Sequence, residues 1–275
     1  MSTELIELRE SQLAIADGIA TLTHLKPAAR NALSLELRED YVDMLDRLET
    51  DRSIRALIIT GSGGSFCAGG DIRSLKERQL SSDPEINSAN AMRLRIRRLH
   101  GWLERLRGLE IPVIAAVDGP AYGAGFAIAL LADFILASER ASFCLPFAKL
   151  GLVPDSGALY TLPRAVGLQK AKELLFSARR VAAEEARELG IVHSIHSPEE
   201  LATAAHWLAR RFLASPRDAI ALSKRLLNQS SETPWATMAE LEGLAQGIAS
   251  TTPYHDEAVS AFLRGEPSRY DWDRD

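Results

Sequence analysis

Several residue types and patterns are scarce in this 275-residue chain. Its two cysteines, Cys67 and Cys144, are too few for a disulfide framework, and no Cys/His spacing suits zinc. No apolar run approaches the roughly 20 residues needed to span a bilayer. The first residues are acidic, whereas a secretory signal needs a basic start and an apolar stretch. The sequence therefore predicts a cytoplasmic protein with no metal centre and no membrane partner.

An excess of positive charge is also lacking, since 32 Lys and Arg face 37 Asp and Glu for a formal net charge of -5. This balance argues against a nucleic-acid partner. Residues 93–107 are rich in arginine, but leucines and an isoleucine recur between them at helical spacing. We interpret this stretch as an amphipathic helix with a solvated face. The apolar content of 46% is enough for a large core.

Three catalytic signatures are missing as well. The glycine-rich stretch Gly64–Gly69 lacks the lysine of a phosphate-binding loop, and no G-x-S-x-G elbow or H-E-x-x-H helix is present. These absences remove the main sequence support for nucleotide hydrolysis, serine hydrolysis and zinc proteolysis.

The patterns that are present indicate an α/β fold. Apolar runs at 56–60 and 113–117 predict buried strands, and Asp17-Gly18 predicts a hairpin turn between antiparallel strands. Ser34 predicts the start of a helix, and the polar segment 79–90 a surface loop or mobile lid. Residues 1–196 form the predicted core, and residues 197–275 a helical oligomerisation region. Four dipeptides predict helix starts in that region: Ser197-Pro198, Ser215-Pro216, Thr233-Pro234 and Thr252-Pro253.

Two glycine-rich turns follow the two buried strands. Ser65–Ile72 follows the first, and Gly119–Phe126 follows the second. Each pattern reads as strand, turn and helix start, with small residues that allow a ligand to approach the backbone. Two such turns can aim two N–H groups at one oxygen that gains charge during a reaction. The sequence therefore predicts an oxyanion hole and chemistry on an activated carbonyl.

Four ordered motifs resemble the crotonase superfamily, also called the enoyl-CoA hydratase/isomerase family. The similarity is strong from about Thr23 to Gly167 and continues more weakly to the end of the chain. It implies a spiral of strand-strand-helix units, with C-terminal helices that form a homotrimer, commonly paired into a hexamer. The motifs are Lys26–Ser34, Phe66–Ile72, Asp118–Gly125 and Gly151–Gly157.

The resemblance also implies the site. The oxyanion donors would be the backbone N–H groups of Gly70 and Ala124, and the substrate an acyl thioester of coenzyme A, with no separate cofactor. The residues implied along the coenzyme A path are Lys26, Ala28, Arg30, Ala68, Asp71 and Ile72. The implied walls of the acyl pocket are Tyr122, Phe126 and Phe147.

Departures from the family pattern refine this expectation. Hydratases of the family carry two glutamates where this chain has Ala127 and Phe147, and neither of these can move a proton. Asp155 lies where isomerase-like members have their acid, especially those similar to ring-epoxide phenylacetyl-CoA isomerases. We expect Val153, Phe126 and Phe147 to surround it and raise its pKa. The resemblance thus favours isomerisation of a double bond or ring, with Asp155 as the acid and base.

Three alternatives stay open at this point. Asp155 could activate water by itself, as a hydratase. It could instead act as a nucleophile in a dehalogenase or hydrolase, for which His100 matches a histidine of the aromatic acyl-CoA dehalogenases; Phe147 replaces their tryptophan and weighs against this reading. The chain could also be a non-catalytic subunit that binds coenzyme A, since both glutamates are missing.

Overall fold

The protein is described here by a computed structural model covering residues 3–272. Its main sheet has seven strands in the order β1-β2-β3-β4-β5-β7-β10, and a smaller sheet has the order β6-β8-β9. The strands are β1 (Glu4–Glu7), β2 (Ser11–Ala16), β3 (Ile19–His24), β4 (Ala56–Gly61), β5 (Val113–Val117), β6 (Pro120–Tyr122), β7 (Phe134–Ser138), β8 (Ser142–Cys144), β9 (Val181–Ala182) and β10 (Ser194–His196).

Helices connect and cover these strands. Short 3-10 helices also occur at Pro27–Ala29 and Pro146–Leu150. The α-helices are α1 (Leu35–Thr50), α2 (Ile72–Leu80), α3 (Ala89–Gly108), α4 (Ala124–Ala129), α5 (Ala158–Val166), α6 (Leu168–Ser177), α7 (Ala183–Glu188), α8 (Leu201–Arg211), α9 (Arg217–Leu227), α10 (Trp235–Ala249) and α11 (Pro253–Leu263).

The sheet combines an antiparallel start with a parallel centre. β1, β2 and β3 pair antiparallel, and β3, β4, β5, β7 and β10 pair parallel. Asp17 and Gly18 have φ angles of 51° and 78°, as a two-residue hairpin turn requires, so the predicted hairpin is confirmed. Every residue of β5 is buried, and only the last two of β4 are not. The two predicted central strands are therefore confirmed, and their carboxyl ends lie at one edge of the sheet.

Each face of the sheet is covered by apolar side chains. On one face, α1 and α3 pack with the strands into the larger core, including Leu37, Tyr41 and Trp102. On the other face, α8 packs across β4, β5 and β7 through Leu201 and Leu208. The helices that follow position 197 therefore differ in burial. α8 is part of the core, whereas α9, α10 and α11 contain no buried residue.

The predicted caps of the C-terminal helices are only partly correct. Thr252 accepts a hydrogen bond from the backbone of the helix it starts, as predicted. Ser215 and Thr233 instead donate to carbonyls of the preceding helical turn. Ser197 accepts from the amide of Glu200 at 3.3 Å and donates to its carboxylate, so it caps the turn that leads into α8 at Leu201. Ser215 and Thr233 differ because a hydroxyl satisfies a carbonyl behind it as readily as an amide ahead of it.

The arginine-rich helix is confirmed as α3. Leu99, Trp102, Leu103 and Leu106 are buried, and the arginines point away from this apolar side. The predicted polar segment is shorter than 79–90, because α2 runs to position 80 and α3 begins at 89. Its mobility stays a prediction. Across residues 3–272, no helix combines the length and apolar character of a membrane span.

Candidate active site

The two glycine turns contact each other at the carboxyl ends of β4 and β5. The backbone of Cys67 bonds to Pro120 and Tyr122, at N···O distances of 3.1 and 2.9 Å. A methyl group on Gly69 would lie 2.8 Å from the carbonyl oxygen of Tyr122 and 3.6 Å from the amide nitrogen of Ala124. Such a close approach excludes a side chain at position 69. The structure therefore brings together the two turns that the sequence singled out.

The N–H groups of Gly70 and Ala124, one in each turn, are among the backbone amides here that donate to no acceptor within residues 3–272. Gly123 precedes the second with φ 52° and ψ -120°, a conformation that a side chain would strain. Free amides in two contacting turns are able to share one anionic oxygen. This is the arrangement that the sequence motifs predict.

Asn31 ties the preceding segment to these turns, and the sequence analysis assigned it no role. It is fully buried, with a left-handed φ of 53°. Its Nδ2 donates to the carbonyl oxygens of Ser62 at 3.0 Å and Ser65 at 2.6 Å, while its Oδ1 accepts from the amide of Lys26 at 2.9 Å. An asparagine among small residues, able to adopt this φ, was the available signal.

The residues expected along the coenzyme A path lie on adjacent segments. Ala68 N donates to Arg30 O at 3.0 Å, and Leu33 N donates to Gly69 O at 2.8 Å, so the segment 26–33 runs beside the first turn. Arg30 is exposed, and its guanidinium has no partner among the described residues. Ala28 and Ile72 are also exposed. This edge of the site is therefore open to solvent.

Two charged residues on this path already have local partners. The Lys26 ammonium pairs with Glu10, whose carboxylate also accepts from Ser34. Asp71 caps α2 and accepts a hydrogen bond from Ser74 at 2.7 Å, which is the main cause of its lowered pKa. Lys26 and Asp71 thus have structural roles that do not depend on a ligand.

A buried histidine supports the first turn from below. His24 Nδ1 lies 3.0 Å from the carbonyl oxygen of Phe66, and its Nε2 lies 2.9 Å from the Tyr41 hydroxyl. Burial lowers the His24 pKa to about 4, partly opposed by the bond to Phe66. The neutral ring therefore donates to Phe66 and accepts from Tyr41. No motif in the sequence pointed to this pair, which depends on β3 packing against α1.

Asp155 is half-buried and has no ion pair within residues 3–272. Its Oδ1 accepts a hydrogen bond from the Ser156 hydroxyl at 2.9 Å. Burial raises the Asp155 pKa, and the Ser156 bond and the charges of Arg38 and His100 partly oppose that increase. The predicted direction of the pKa shift is confirmed. The carboxyl can therefore exchange a proton more readily near neutral pH than an exposed aspartate.

The residues predicted to surround Asp155 lie in different environments from those expected. Val153 is 75% exposed and does not cover the carboxyl group. Phe126 is 1% exposed and contacts Phe143, with ring centroids 5.1 Å apart, so it supports the second turn from inside the core and offers no surface to a ligand. Phe147 is partly buried against the core. Tyr122 is also half-buried, and its hydroxyl lies 3.1 Å from that of Ser142.

Metal-dependent catalysis and catalysis by a thiol have little support in the described part of the chain. No three His, Cys, Asp or Glu side chains among residues 3–272 converge on a common point suited to a metal ion. Cys67, beside the first turn, is buried, and burial raises the pKa of its thiol to about 11. A thiol with such a pKa is a poor nucleophile at neutral pH.

An open depression of about 770 Å³ lies between the β2–β3 turn and the end of α8. It is lined by Asp17, Arg210 and Leu213, among others, and by none of the candidate site residues. The depression thus lies away from both glycine turns and from Asp155. We therefore place the candidate site at the glycine turns.

Comparison with known proteins agrees with this geometry. Residues 14–272 match the family model described as enoyl-CoA hydratase/isomerase. The chain is 34% identical to 1,2-epoxyphenylacetyl-CoA isomerase of Escherichia coli (strain K12), covering 90% of this chain and 93% of that one. It is also 34% identical to 4-chlorobenzoyl coenzyme A dehalogenase-2 of an Arthrobacter species, covering 92% and 90%.

A solved structure extends the similarity to the whole fold. An enoyl-CoA hydratase/isomerase from Cupriavidus metallidurans CH34 superposes with a TM-score of 0.90 and 39% identity, covering 96% of this chain and 97% of that one. The spiral α/β fold expected from the sequence motifs is thereby confirmed.

Proposed function

The chain belongs to the enoyl-CoA hydratase/isomerase family, and we propose that within it the chain isomerises an acyl thioester of coenzyme A. The N–H groups of Gly70 and Ala124 hold the thioester oxygen. Asp155 removes a proton from the carbon next to the carbonyl and returns it to another carbon, which isomerises a double bond or a ring. The observation that carries the proposal is an unpaired carboxyl with a raised pKa, in a chain that also offers two free amides.

The energetic logic follows from where charge develops. Removing the proton leaves negative charge on the thioester oxygen, and preformed amides stabilise it without having to reorganise. Asp155 forms no ion pair within residues 3–272, so no neighbouring cation holds it in the ionised form and it can take up and release a proton. One carboxyl suffices because isomerisation returns the proton that it removed.

Isomerisation is favoured over hydration by two side chains. Ala127 is fully buried in α4, and Phe147 is an aromatic residue packed on the core, so neither position provides an acid or base. A hydratase of the two-glutamate kind needs a second proton-transfer group. Hydration by Asp155 as the sole base is the nearest alternative within the family.

A second candidate is displacement of a leaving group with Asp155 as the nucleophile. The charge of His100 acts on Asp155, and one relative at 34% identity is named as a dehalogenase. A nucleophile uses only the ionised carboxyl group, whereas a group that removes and returns a proton uses both forms, and burial of Asp155 brings the protonated form closer to neutral pH. The raised pKa therefore supports acid and base chemistry over nucleophilic attack.

Coenzyme A itself would be part of the substrate, held along the exposed edge formed by 26–33 and 68–72. Arg30 is the free cation there, whereas Lys26 is already paired with Glu10. Phosphate groups bind arginine through paired charge-assisted hydrogen bonds. We therefore assign the larger part of phosphate binding to Arg30.

The experiment is solvent deuterium incorporation into aliphatic and arylacetyl thioesters of coenzyme A, followed by mass spectrometry. Asp155→Asn should lower exchange by about 100- to 10,000-fold, the usual contribution of a general acid and base. The control Asp83→Asn changes an exposed aspartate and should leave exchange unchanged. Equal exchange in Asp155→Asn and wild type would remove Asp155 from the mechanism.

The same samples separate the alternatives. Hydration would add the mass of water to an enoyl thioester, and nucleophilic catalysis would leave the acyl group covalently attached to Asp155. Tight binding without exchange in any variant would indicate a non-catalytic subunit.

We also propose that the C-terminal helices mediate assembly into a homotrimer or hexamer. Trp235 on α10 and Phe262 on α11 are 88% and 82% exposed, and neighbouring apolar residues on both helices are exposed too. Exposed apolar surfaces of this kind mark interaction sites. Light scattering should give a multiple of three subunits for the wild type and smaller species for Phe262→Glu. Leu5→Glu, at an exposed position of β1, is the matched control, and a monomeric wild type would contradict the proposal.

A further inference from the structure

Arg38 and Arg78 have no partner for their charge, and the sequence analysis did not single them out. The charge of Arg38 acts on Asp155, and the charge of Arg78 acts on Arg38. Arg38 lies on α1, one turn after the Ser34 cap, and Arg78 lies on α2, the helix that follows Gly70. Both side chains are half-buried, and the Nε atom of each is fully buried without a hydrogen-bond partner. Neither guanidinium takes part in an ion pair or a ring contact within residues 3–272.

Other arginines of the chain are not in this situation. Arg211 and Arg217 also have a buried, unpaired Nε, but Arg211 stacks on Trp207 and Arg217 donates to backbone carbonyls. Arginines without any partner, such as Arg30 and Arg97, are exposed to water. Only Arg38 and Arg78, among the described residues, combine partial burial with a complete lack of partners.

This arrangement is unfavourable in the free protein. Removing a cation from water costs free energy unless an anion or hydrogen-bond acceptors replace the water. Burial lowers the pKa of Arg38, and the neighbouring charge of Arg78 lowers it further, while Asp155 opposes both effects. An anionic group between the two guanidinium groups would relieve this cost and gain charge-assisted hydrogen bonds.

We infer that Arg38, with Arg78 beside it, binds a carboxylate carried by the acyl group of the substrate. This inference rests on the proposed function, because it assumes that the acyl group is held next to Asp155. The placement favours the acyl group over the phosphates of coenzyme A as the source of the anion. Arg38 lies within electrostatic reach of Asp155, the group that acts on the acyl carbons, whereas the free cation on the coenzyme A edge is Arg30.

The experiment compares binding of glutaryl-CoA, pentanoyl-CoA and free coenzyme A by calorimetry. The first two differ in a terminal carboxylate, and neither contains a double bond to isomerise. We expect the wild type to bind glutaryl-CoA about 10- to 100-fold more tightly than pentanoyl-CoA, the range of one charged hydrogen-bonded contact. Arg38→Met should abolish this preference, with affinity for pentanoyl-CoA and free coenzyme A unchanged. Arg78→Met should reduce the preference, and the control Arg97→Met should preserve it.

Each other outcome overturns the inference. A wild type without preference for glutaryl-CoA leaves no role for a carboxylate site. Loss of free coenzyme A binding in Arg38→Met would make a phosphate the anion. Equal weakening of both acyl thioesters would mean that Arg38 only shapes the pocket. Arg38→Lys, which keeps the charge, should retain part of the preference and controls for loss of folding.

Failure of this inference can be distinguished from failure of the proposed isomerisation. Binding of saturated thioesters requires no catalysis, so the glutaryl-CoA preference can fail while deuterium exchange by Asp155 persists. Conversely, a protein that shows the preference but no exchange would keep the carboxylate site and lose the proposed reaction.

Discussion

Glycines and apolar residues are closely packed in the two glycine turns but exposed in the last three helices. At the turns, Gly69 and Gly125 are required because backbone from the other turn occupies the space of a side chain. Apolar residues beside them, such as Phe66 and Phe126, are buried by the chain itself. In α9, α10 and α11 no residue is buried, and the two glycines of α10 have nothing within 4 Å of an added methyl group. Side chains of the first region are packed by the chain itself, whereas the second region leaves its apolar side chains exposed.

The strongest test of this contrast is Gly125→Ala in α4. The new methyl carbon would lie 2.2 Å from the carbonyl oxygen of Cys67 and 2.7 Å from its Cβ, so backbone must move. We expect a loss of about 4 kcal/mol or more in the free energy of unfolding, at the upper end for single substitutions. Denaturant unfolding measures it. A variant as stable as the wild type would show that the turns are not closely packed.

A smaller effect is expected from pH, through His24 beneath the first turn. Its pKa is about 4 when folded, against an ordinary value of 6.5, so only the unfolded chain binds a proton between these values. The free energy of unfolding is therefore unaffected by protonation of His24 above pH 6.5, and it falls as the pH is lowered from 6.5 to about 4. The single proton corresponds to about 3 kcal/mol.

The matched variant for this effect is His24→Asn, whose amide can still donate to the carbonyl of Phe66. The free energy of unfolding, measured from pH 7 to pH 4, should fall less steeply with decreasing pH in this variant. The difference in slope should correspond to the one proton that the unfolded wild type binds at His24. An unchanged slope would show that another group causes the acid sensitivity.

The smallest expected effect is that of Gly243→Ala in α10, the counterpart of the first substitution. Nothing lies within 4 Å of the new methyl group, and alanine favours a helix over glycine. We expect a gain of about 0.5–1 kcal/mol in the free energy of unfolding. A loss instead would mean that a neighbouring subunit packs closely against this face of α10, and repeating the measurement at several protein concentrations would reveal it.

Local patterns predicted the parts of the fold that depend on local physics. Consecutive apolar residues at 56–60 and 113–117 could only be buried strands next to their glycine turns, and Asp17-Gly18 could adopt the φ angles of a tight hairpin. The same logic failed for Ser215 and Thr233, because a hydroxyl has two equally near backbone partners and the sequence does not choose between them.

The candidate site was predictable to the extent that it consists of backbone. The two turns were predicted from small residues after a strand, and the family resemblance then pointed to Gly70 and Ala124 within them. Phe126 illustrates the limit, because its position beside Ala124 suggested a pocket wall, yet the ring points into the core against Phe143. Which side of a turn a side chain occupies depends on the packing behind it.

By itself, the sequence determined the α/β class, the central strands and the two turns. Each follows from residue type and short-range spacing. Only the tertiary structure decided that Asn31 links the segment 26–33 to the first turn, that His24 is neutral beneath it, and that Arg38, near Asp155, and Arg78 lack partners for their charge. These properties arise between residues far apart in the chain, where burial and the charges of neighbours set the energy of each group.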